Sequence, residues 1–375
     1  MEDNRTRRLS KWLEKVATAG LTGDGRKVQL VLVRAIRELR ADENDLCTSL
    51  AAAIQKSGRG SGPLRQSNGP PPVDAEEGFG LLRVEQPDDP PMPVLADSVR
   101  AKVDAFLNER RHASRLLEEG FAPPGALLLT GPPGTGKTML ARRMAAELGL
   151  PLAVLDLSSV ISSYLGKTGF NLRRAMDYAR SGPMVLLLDE FDAVAKRRDD
   201  ESEVGELKRI VNVLLKELED WPLHSVLIAA TNHPELLDKA IARRFDIRIE
   251  LGHPGAVERD EILRHGVGRF AEELPASMLS ALVAVFDGLS GSEITTLSHS
   301  AVRKHLMTEE QLSACLVSEF VFWNEQQASG GDLGELIRTM RGNSKDKLTV
   351  RDLSALFGRS VSTVQHHLKK EVSHG

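Results

Sequence analysis

Residues 126–138 read Ala-Leu-Leu-Leu-Thr-Gly-Pro-Pro-Gly-Thr-Gly-Lys-Thr. An apolar run, a glycine loop and a helix-forming stretch follow one another directly. This order predicts a buried strand that feeds a phosphate-binding loop and then opens a helix over 139–148. Gly131, Gly134 and Gly136 let backbone N–H groups turn inward around an anion, with Pro132, Pro133 and Thr135 completing the loop. Lys137 has the reach to meet β and γ phosphates, and the Thr138 hydroxyl suits Mg²⁺. The N-terminal dipole of the helix favours the same anion. A nucleoside triphosphate with Mg²⁺ is therefore the expected ligand, held by residues 131–138.

Around this motif the chain alternates. Apolar runs at 126–130, 152–155, 184–188, 226–230 and 247–251 are separated by helical stretches. The runs suit strands buried on both faces, so the expected fold is α/β, a five-stranded parallel sheet covered by helices. The expected boundaries are a helical N-terminal module at 1–57, a Gly/Pro-rich linker at 58–93 and an α/β domain at 94–254. A helical lid follows at 255–307, then a helical C-terminal region at 308–375. A helix is expected over 97–119. In the first module Leu9, Trp12, Leu13 and Val16 share one helical face, as do Val28, Leu32, Ile36 and Leu39, and Leu46, Leu50 and Ile54. Residues 1–40 are basic in balance, which suits either a solvated face or a substrate-docking surface.

With 375 residues, 41% hydrophobic and 27% charged, most of the chain is expected to be globular. A net charge of −4 makes no case for nucleic acid across the whole chain. The two cysteines, Cys47 and Cys315, lack metal-ligand spacing and read as ordinary thiols of a reducing compartment. No apolar run approaches membrane-spanning length and no signal peptide opens the chain, so a cytoplasmic protein without a membrane partner is expected.

Met184-Val-Leu-Leu-Leu-Asp-Glu190 delivers two carboxylates at the C-terminal end of a buried strand, where α/β sheets bind ligands. Asp189 suits Mg²⁺ through its water shell, and Glu190 suits a general base for an attacking water. The next strand runs into Thr231-Asn232, where Asn232 is placed to position that water. Then come Arg243 and Arg244, before Phe245 and the last strand. Arginine stabilises charge developing on a transferring phosphate, and an outward-facing pair would serve a neighbour's site.

Together these residues resemble the AAA clade within the wider AAA+ superfamily of P-loop NTPases. The resemblance spans roughly 97–307. It includes Leu117–Gly125, Asp189-Glu-Phe-Asp192, Thr231-Asn232, Arg243-Arg244-Phe245 and Gly288-Leu-Ser-Gly-Ser-Glu-Ile294. It implies ATP hydrolysis in a ring, usually a hexamer, with Gly291 near the adenine and Arg243 and Arg244 acting in trans. It also implies a pore loop that grips polypeptide, for which Ser163-Tyr164-Leu165-Gly166-Lys167-Thr168 stands in the right place. Tyr164, Leu165 and Gly166 are the expected substrate contacts. Lys167 departs from the acidic residue common there. Residues 196–206 match a second pore loop by position only. Neither His-Glu-x-x-His nor Gly-x-Ser-x-Gly occurs, so proteolysis would need a separate peptidase partner. The expected work is remodelling or unfolding of a protein substrate.

Residues 348–370 have a helix-turn-helix pattern. Leu353, Leu356 and Phe357 form one apolar face, Gly358 sits at the turn, and Ser360 or Ser362 caps a second helix with Val364 and Leu368. Arg341, Lys345, Lys347, Arg351, Arg359, Lys369 and Lys370 outweigh Asp346 and Asp352. The segment resembles winged-helix DNA readers, with Ser362, Thr363, Gln365 and His366 able to face base edges. A DNA-associated ATPase docked through 348–370 is thus the alternative function, and a small protein-interaction module is the alternative role for the segment.

Overall fold

The computed structural model describes residues 2–21, 25–58, 82–163, 168–193, 214, 216, 218, 221–326, 333–344 and 348–369. Its elements in chain order begin with α1 (Glu2–Leu21), α2 (Gly25–Leu39), α3 (Asn44–Gly58), β1 (Arg83–Glu85), α4 (Asp97–Arg111) and α5 (Ala113–Glu118). Next are β2 (Ala126–Thr130), α6 (Lys137–Leu148), β3 (Leu152–Asp156), α7 (Leu157–Ser163), α8 (Thr168–Arg180), β4 (Val185–Asp189) and β5 (Val226–Thr231). Then follow α9 (Lys239–Ala242), β6 (Ile247–Glu250), α10 (Ala256–Val267), α11 (Ala276–Val285) and α12 (Gly291–Thr308). The chain closes with α13 (Leu312–Gln326), α14 (Leu333–Asn343), α15 (Val350–Leu356) and α16 (Val361–Lys369).

The five predicted apolar runs are all strands, and they pair in parallel in the order β3-β4-β5-β2-β6. Each is buried through nearly its whole length except β6, which alternates. The sheet has a sixth strand that sequence reading assigned to the linker. Arg83, Val84 and Glu85 pair antiparallel with β3. Val84 packs on the sheet's core while Glu85 accepts a hydrogen bond from Nε of Arg142 on α6 at 2.8 Å. A three-residue strand between glycine- and proline-rich flanks has too short a period to read from sequence. The expected helix over 97–119 is two helices, broken at His112.

The chain divides into two units. The first comprises 1–93, 97–131 and 137–251, and the second 94–96, 132–136 and 252–375. In the first unit the N-terminal helices are part of the same body as the sheet. Trp12, Ile36, Leu39, Cys47 and Ile54 share one cluster with Leu117 of α5 and Leu223 before β5. Gly120 has φ +73°, and a Cβ there would meet the Arg37 backbone nitrogen at 2.5 Å. Arg37 uses that close approach to donate from Nε to the Gly120 carbonyl at 2.9 Å, and its guanidinium lies over the Phe121 ring. In the second unit, α10–α16 enclose a single apolar core that includes Leu263, Phe286, Ile294, Leu316, Ile337, Leu353 and Val364. Lid and C-terminal helices therefore bury one another rather than forming separate cores.

Candidate nucleotide site

The register of the sheet aligns the C-terminal ends of its strands. Thr130 pairs with Thr231, and Asp156 with Asp189. Strand β5 lies between β2 and β4, so Asp189 stands two strand spacings, about 10 Å, across from the end of β2. Helix α6 spans that gap. It opens at Lys137, two residues before the predicted start, and Thr138 Oγ1 in its first turn donates to Asp189 Oδ2 at 2.9 Å. The two side chains expected to share Mg²⁺ are in contact.

Gly131 has φ +143°, and a Cβ there would lie 1.9 Å from the Leu251 carbonyl oxygen. No side chain fits. Lys137 is 8% exposed and donates from Nζ to the Gly131 carbonyl at 2.7 Å. Burial pushes its pKa down, and the carboxylates of Asp189 and Asp192 oppose that shift. Within the second unit, Thr135 Oγ1 donates to the Pro132 carbonyl at 2.9 Å. Gly134, at φ +75°, accepts from the Ser292 N–H at 3.0 Å, and a Cβ on it would strike the Ser292 and Ser290 hydroxyls. Gly291 begins α12, with Ser290 as its N-cap in a reciprocal box with Glu293. A Cβ on Gly291 would meet only ordinary contacts, so sterics do not demand glycine there.

Glu190 is exposed and has φ +50°, uncommon for a side chain of its size. The turn that holds it is anchored on both sides. The Glu190 N–H donates to Asp189 Oδ1 at 3.0 Å, and the Phe191 N–H donates to the Ala230 carbonyl on β5 at 2.9 Å. Strain at such a position costs roughly 1–3 kcal/mol and persists where surroundings over-determine it.

Asp192 has a function that sequence reading did not assign. It is 3% exposed, and its Oδ1 accepts from both Thr231 Oγ1 and the Asn232 N–H, each at 3.1 Å. Asn232 is thereby fixed at the end of β5 by a carboxylate from the turn that carries Glu190. A carboxylate three residues beyond Asp189 was the available signal.

Arg243 and Arg244 are both exposed. Their turn is held from every side. Asp238 caps α9 by accepting from the Ala240 N–H at 2.7 Å. Phe245 is buried with its ring edge against Phe191, centroids 5.9 Å apart. Asp246 Oδ2 accepts from the N–H groups of Gly125 at 2.7 Å and Ala126 at 3.0 Å. Arg110 reinforces the same end of the sheet by donating to the Leu223 carbonyl at 3.0 Å, and burial pushes its pKa down to about 10. Tyr164, Leu165, Gly166 and residues 196–206 lie outside the described residues.

Residues 127–253 match the family model "ATPase family associated with various cellular activities (AAA)". Residues 127–253 are thus an AAA domain. An uncharacterized AAA family ATPase, y4kL of Sinorhizobium fredii, is 39% identical over 203 residues, covering 53% of this chain and 59% of the relative. The ATP-dependent zinc metalloprotease FtsH 2 of Symbiobacterium thermophilum is 34% identical over 214 residues, 55% of this chain and 36% of that protein. A putative 26S proteasome regulatory subunit homolog of Methanothermobacter marburgensis is 36% identical over 179 residues, 46% of each chain. The chain thus spans between about a third and three fifths of the length of these relatives. The solved AAA domain of FIGL-1 in complex with ADP shares the fold at TM-score 0.50 and 23% identity, covering 63% of this chain and 78% of that one. Among the described residues, no helix is long and apolar enough to cross a membrane.

The AAA domain's own residues fit a magnesium nucleotide. Gly131 keeps its place free of any Cβ, a buried lysine follows the loop, and a hydroxyl and a carboxylate meet beside it. Thr138 and Asp189 would hold the ion, which screens phosphate charge when bound.

Proposed function

We propose that this chain hydrolyses ATP as a ring of identical subunits, a hexamer by its resemblance, and couples hydrolysis to remodelling or unfolding a protein substrate. The observation that carries the reading is the Glu190–Asp192 turn. It presents an exposed carboxylate in a constrained backbone and, two residues on, fixes Asn232. Lys137 holds the β and γ phosphates. Asn232 orients the attacking water and Glu190 accepts its proton as the terminal phosphate departs. Asp192 touches no reacting atom and is a positioning residue.

Ring formation is supported by where the arginines stand. Strand β6 begins at Ile247, opposite Leu127, and Thr130 pairs with Glu250. Arg243 and Arg244 precede that strand, so about 10 Å of β6 or more separates them from the end of β2 where the loop begins. They are exposed, mounted on a braced turn and remote from the end of β2, as residues serving a second copy would be. Such a head-to-tail contact makes a ring when its rotation closes. Tyr164, Leu165 and Gly166 keep the polypeptide-gripping role that the resemblance implies, and a separate peptidase is a fitting partner, since two relatives are a metalloprotease and a proteasome regulatory homolog by name.

Complementation tests the shared site. Glu190→Gln and the double variant Arg243→Ala/Arg244→Ala are each expected to be inactive alone. Mixed in equal amounts, they should recover ATP turnover, because Arg-bearing Glu190→Gln subunits complete the intact sites of their neighbours. A mixture no more active than its components would refute the trans arrangement. Unfolding of a tagged substrate that is unchanged by Tyr164→Ala would refute the grip.

A further inference from the structure

Helix α13 turns one of its faces into a cleft of about 960 Å³ within the second unit. Along that face Ala314, Val317, Val321 and Glu325 follow one another at spacings of three and four, and Phe322 stands beside them. Met278 at the start of α11 and Leu356 at the end of α15 line the same space. Val317 and Leu356 are buried, yet the Phe322 ring is 61% exposed. An aromatic ring open to water above a continuous apolar floor is surface that a partner can bury.

The dimensions favour a helix as that partner. Helix α13 spans 15 residues, about 22 Å. A second helix about 10 Å across and about 22 Å long, sunk to half its diameter, occupies about 860 Å³, close to the volume of the cleft. A small molecule would leave the Phe322 side open, whereas small-molecule sites bury most of their ligand.

The charges set the sign of the partner. Among the described lining residues Glu310, Glu325 and Asp352 are acidic and Arg359 is the one cation. Glu310 Oε2 is 3.9 Å from Lys304 Nζ, and even with Lys304 counted the carboxylates outnumber the cations. Glu310 and Glu325 also stand near opposite ends of α13, so an acidic group meets either end of a helix laid along it. No residue assigned to the nucleotide site is among those that line the cleft.

We propose that this cleft receives a basic amphipathic helix of a partner protein. Its apolar face lies on Val317, Val321, Phe322 and Leu356, and its Lys or Arg residues face Glu310, Glu325 and Asp352. The proposal is independent of the ATPase reading.

The test is fluorescence anisotropy of the full-length protein with a labelled probe, an amphipathic peptide of about 14 residues built only of Leu and Lys, about 21 Å long as a helix. A second peptide has the same pattern with Glu in place of Lys. The Leu/Lys probe should bind and the Leu/Glu probe should not. Phe322→Asp should weaken binding about tenfold or more. Glu325→Lys should weaken it about threefold and Arg359→Glu should strengthen it about threefold, and both effects should fade at about 0.5 M NaCl. Val257→Asp, on α10 and outside the cleft, should bind as the parent does. All four residues are exposed, so the variants should fold as the parent does. Absence of Leu/Lys binding at about 1 mM overturns the proposal. So does tighter binding of the Leu/Glu probe, equal loss in Phe322→Asp and Val257→Asp, or changes of the same sign in Glu325→Lys and Arg359→Glu. Self-association that Phe322→Asp abolishes, with the probe unbound, would give the cleft to a second copy and overturn it as well.

Discussion

Asp192 offers the sharpest separation between holding a site together and taking part in it. Asp192→Ala removes the acceptor of two donors, the Thr231 hydroxyl and the Asn232 N–H. Thr231 is 1% exposed and its hydroxyl still accepts from the His233 N–H at 3.1 Å, but as a donor it is left without Asp192. Each buried donor deprived of a partner costs about 1–3 kcal/mol, so with two donors affected the alanine variant should lose about 2–6 kcal/mol of stability. It should also lose turnover about 100-fold, because a displacement of about 1 Å at Asn232 spoils the attacking geometry. Asp192→Asn should behave differently. Both donors use the same oxygen, Oδ1, and an amide oxygen replaces it in place. Its stability should stay within about 1 kcal/mol of the parent. What it does lose is a negative charge that, with Asp189, supports the buried Lys137 ammonium. The lysine pKa, already depressed by burial, should fall further, and the protonated form that holds phosphate will be lost at lower pH. The alkaline limb of the ATPase pH profile should therefore move down in Asp192→Asn while its neutral rate stays near the parent's. Urea unfolding and steady-state ATP turnover between pH 7 and about pH 10 measure both effects. Equal stability in the alanine and asparagine variants, or full turnover in Asp192→Ala, would refute the reasoning.

Two further predictions follow from local geometry. Glu190 at φ +50° carries a side chain where glycine is at ease, so Glu190→Gly should be more stable than Glu190→Ala by about 1 kcal/mol while both lack turnover; an alanine variant equal or superior in urea would contradict it. Glu85 is held below the usual glutamate range, chiefly by its hydrogen bond from Arg142. Its contribution should be complete above about pH 4.3 and disappear as pH falls through its lower folded value, and Arg142→Met should flatten that acid limb of the unfolding midpoint.

The residues gathered at the candidate nucleotide site were legible as a group because they stand in contiguous runs. Gly131–Thr138 and Leu186–Glu190 each combine a strand's end with the residues that act there. The strands were legible for the same reason, since burial on both faces leaves continuous apolar runs. Asp192 was not legible as an anchor, because its partners come from the next strand and its burial depends on the turn closing against β5. The attachment of α2 to the sheet's body was hidden too. Arg37 reads as one charge in a basic helix, yet its backbone sits against Gly120, eighty-three residues away. The break at His112 has no glycine or proline to announce it.

Strand β1 gives the tail of the proline-rich segment a consequence for anyone who would shorten this protein. A cut at residue 93, where composition changes, would strip the strand paired with the outer side of Leu152–Val154 and the Glu85 anchor from α6. The exposed ladder would then be a template for pairing with other chains, in a strand whose residues are nearly all apolar. Aggregation of such a fragment would say nothing about the ATPase fold. It would report the loss of three residues that shield its flank.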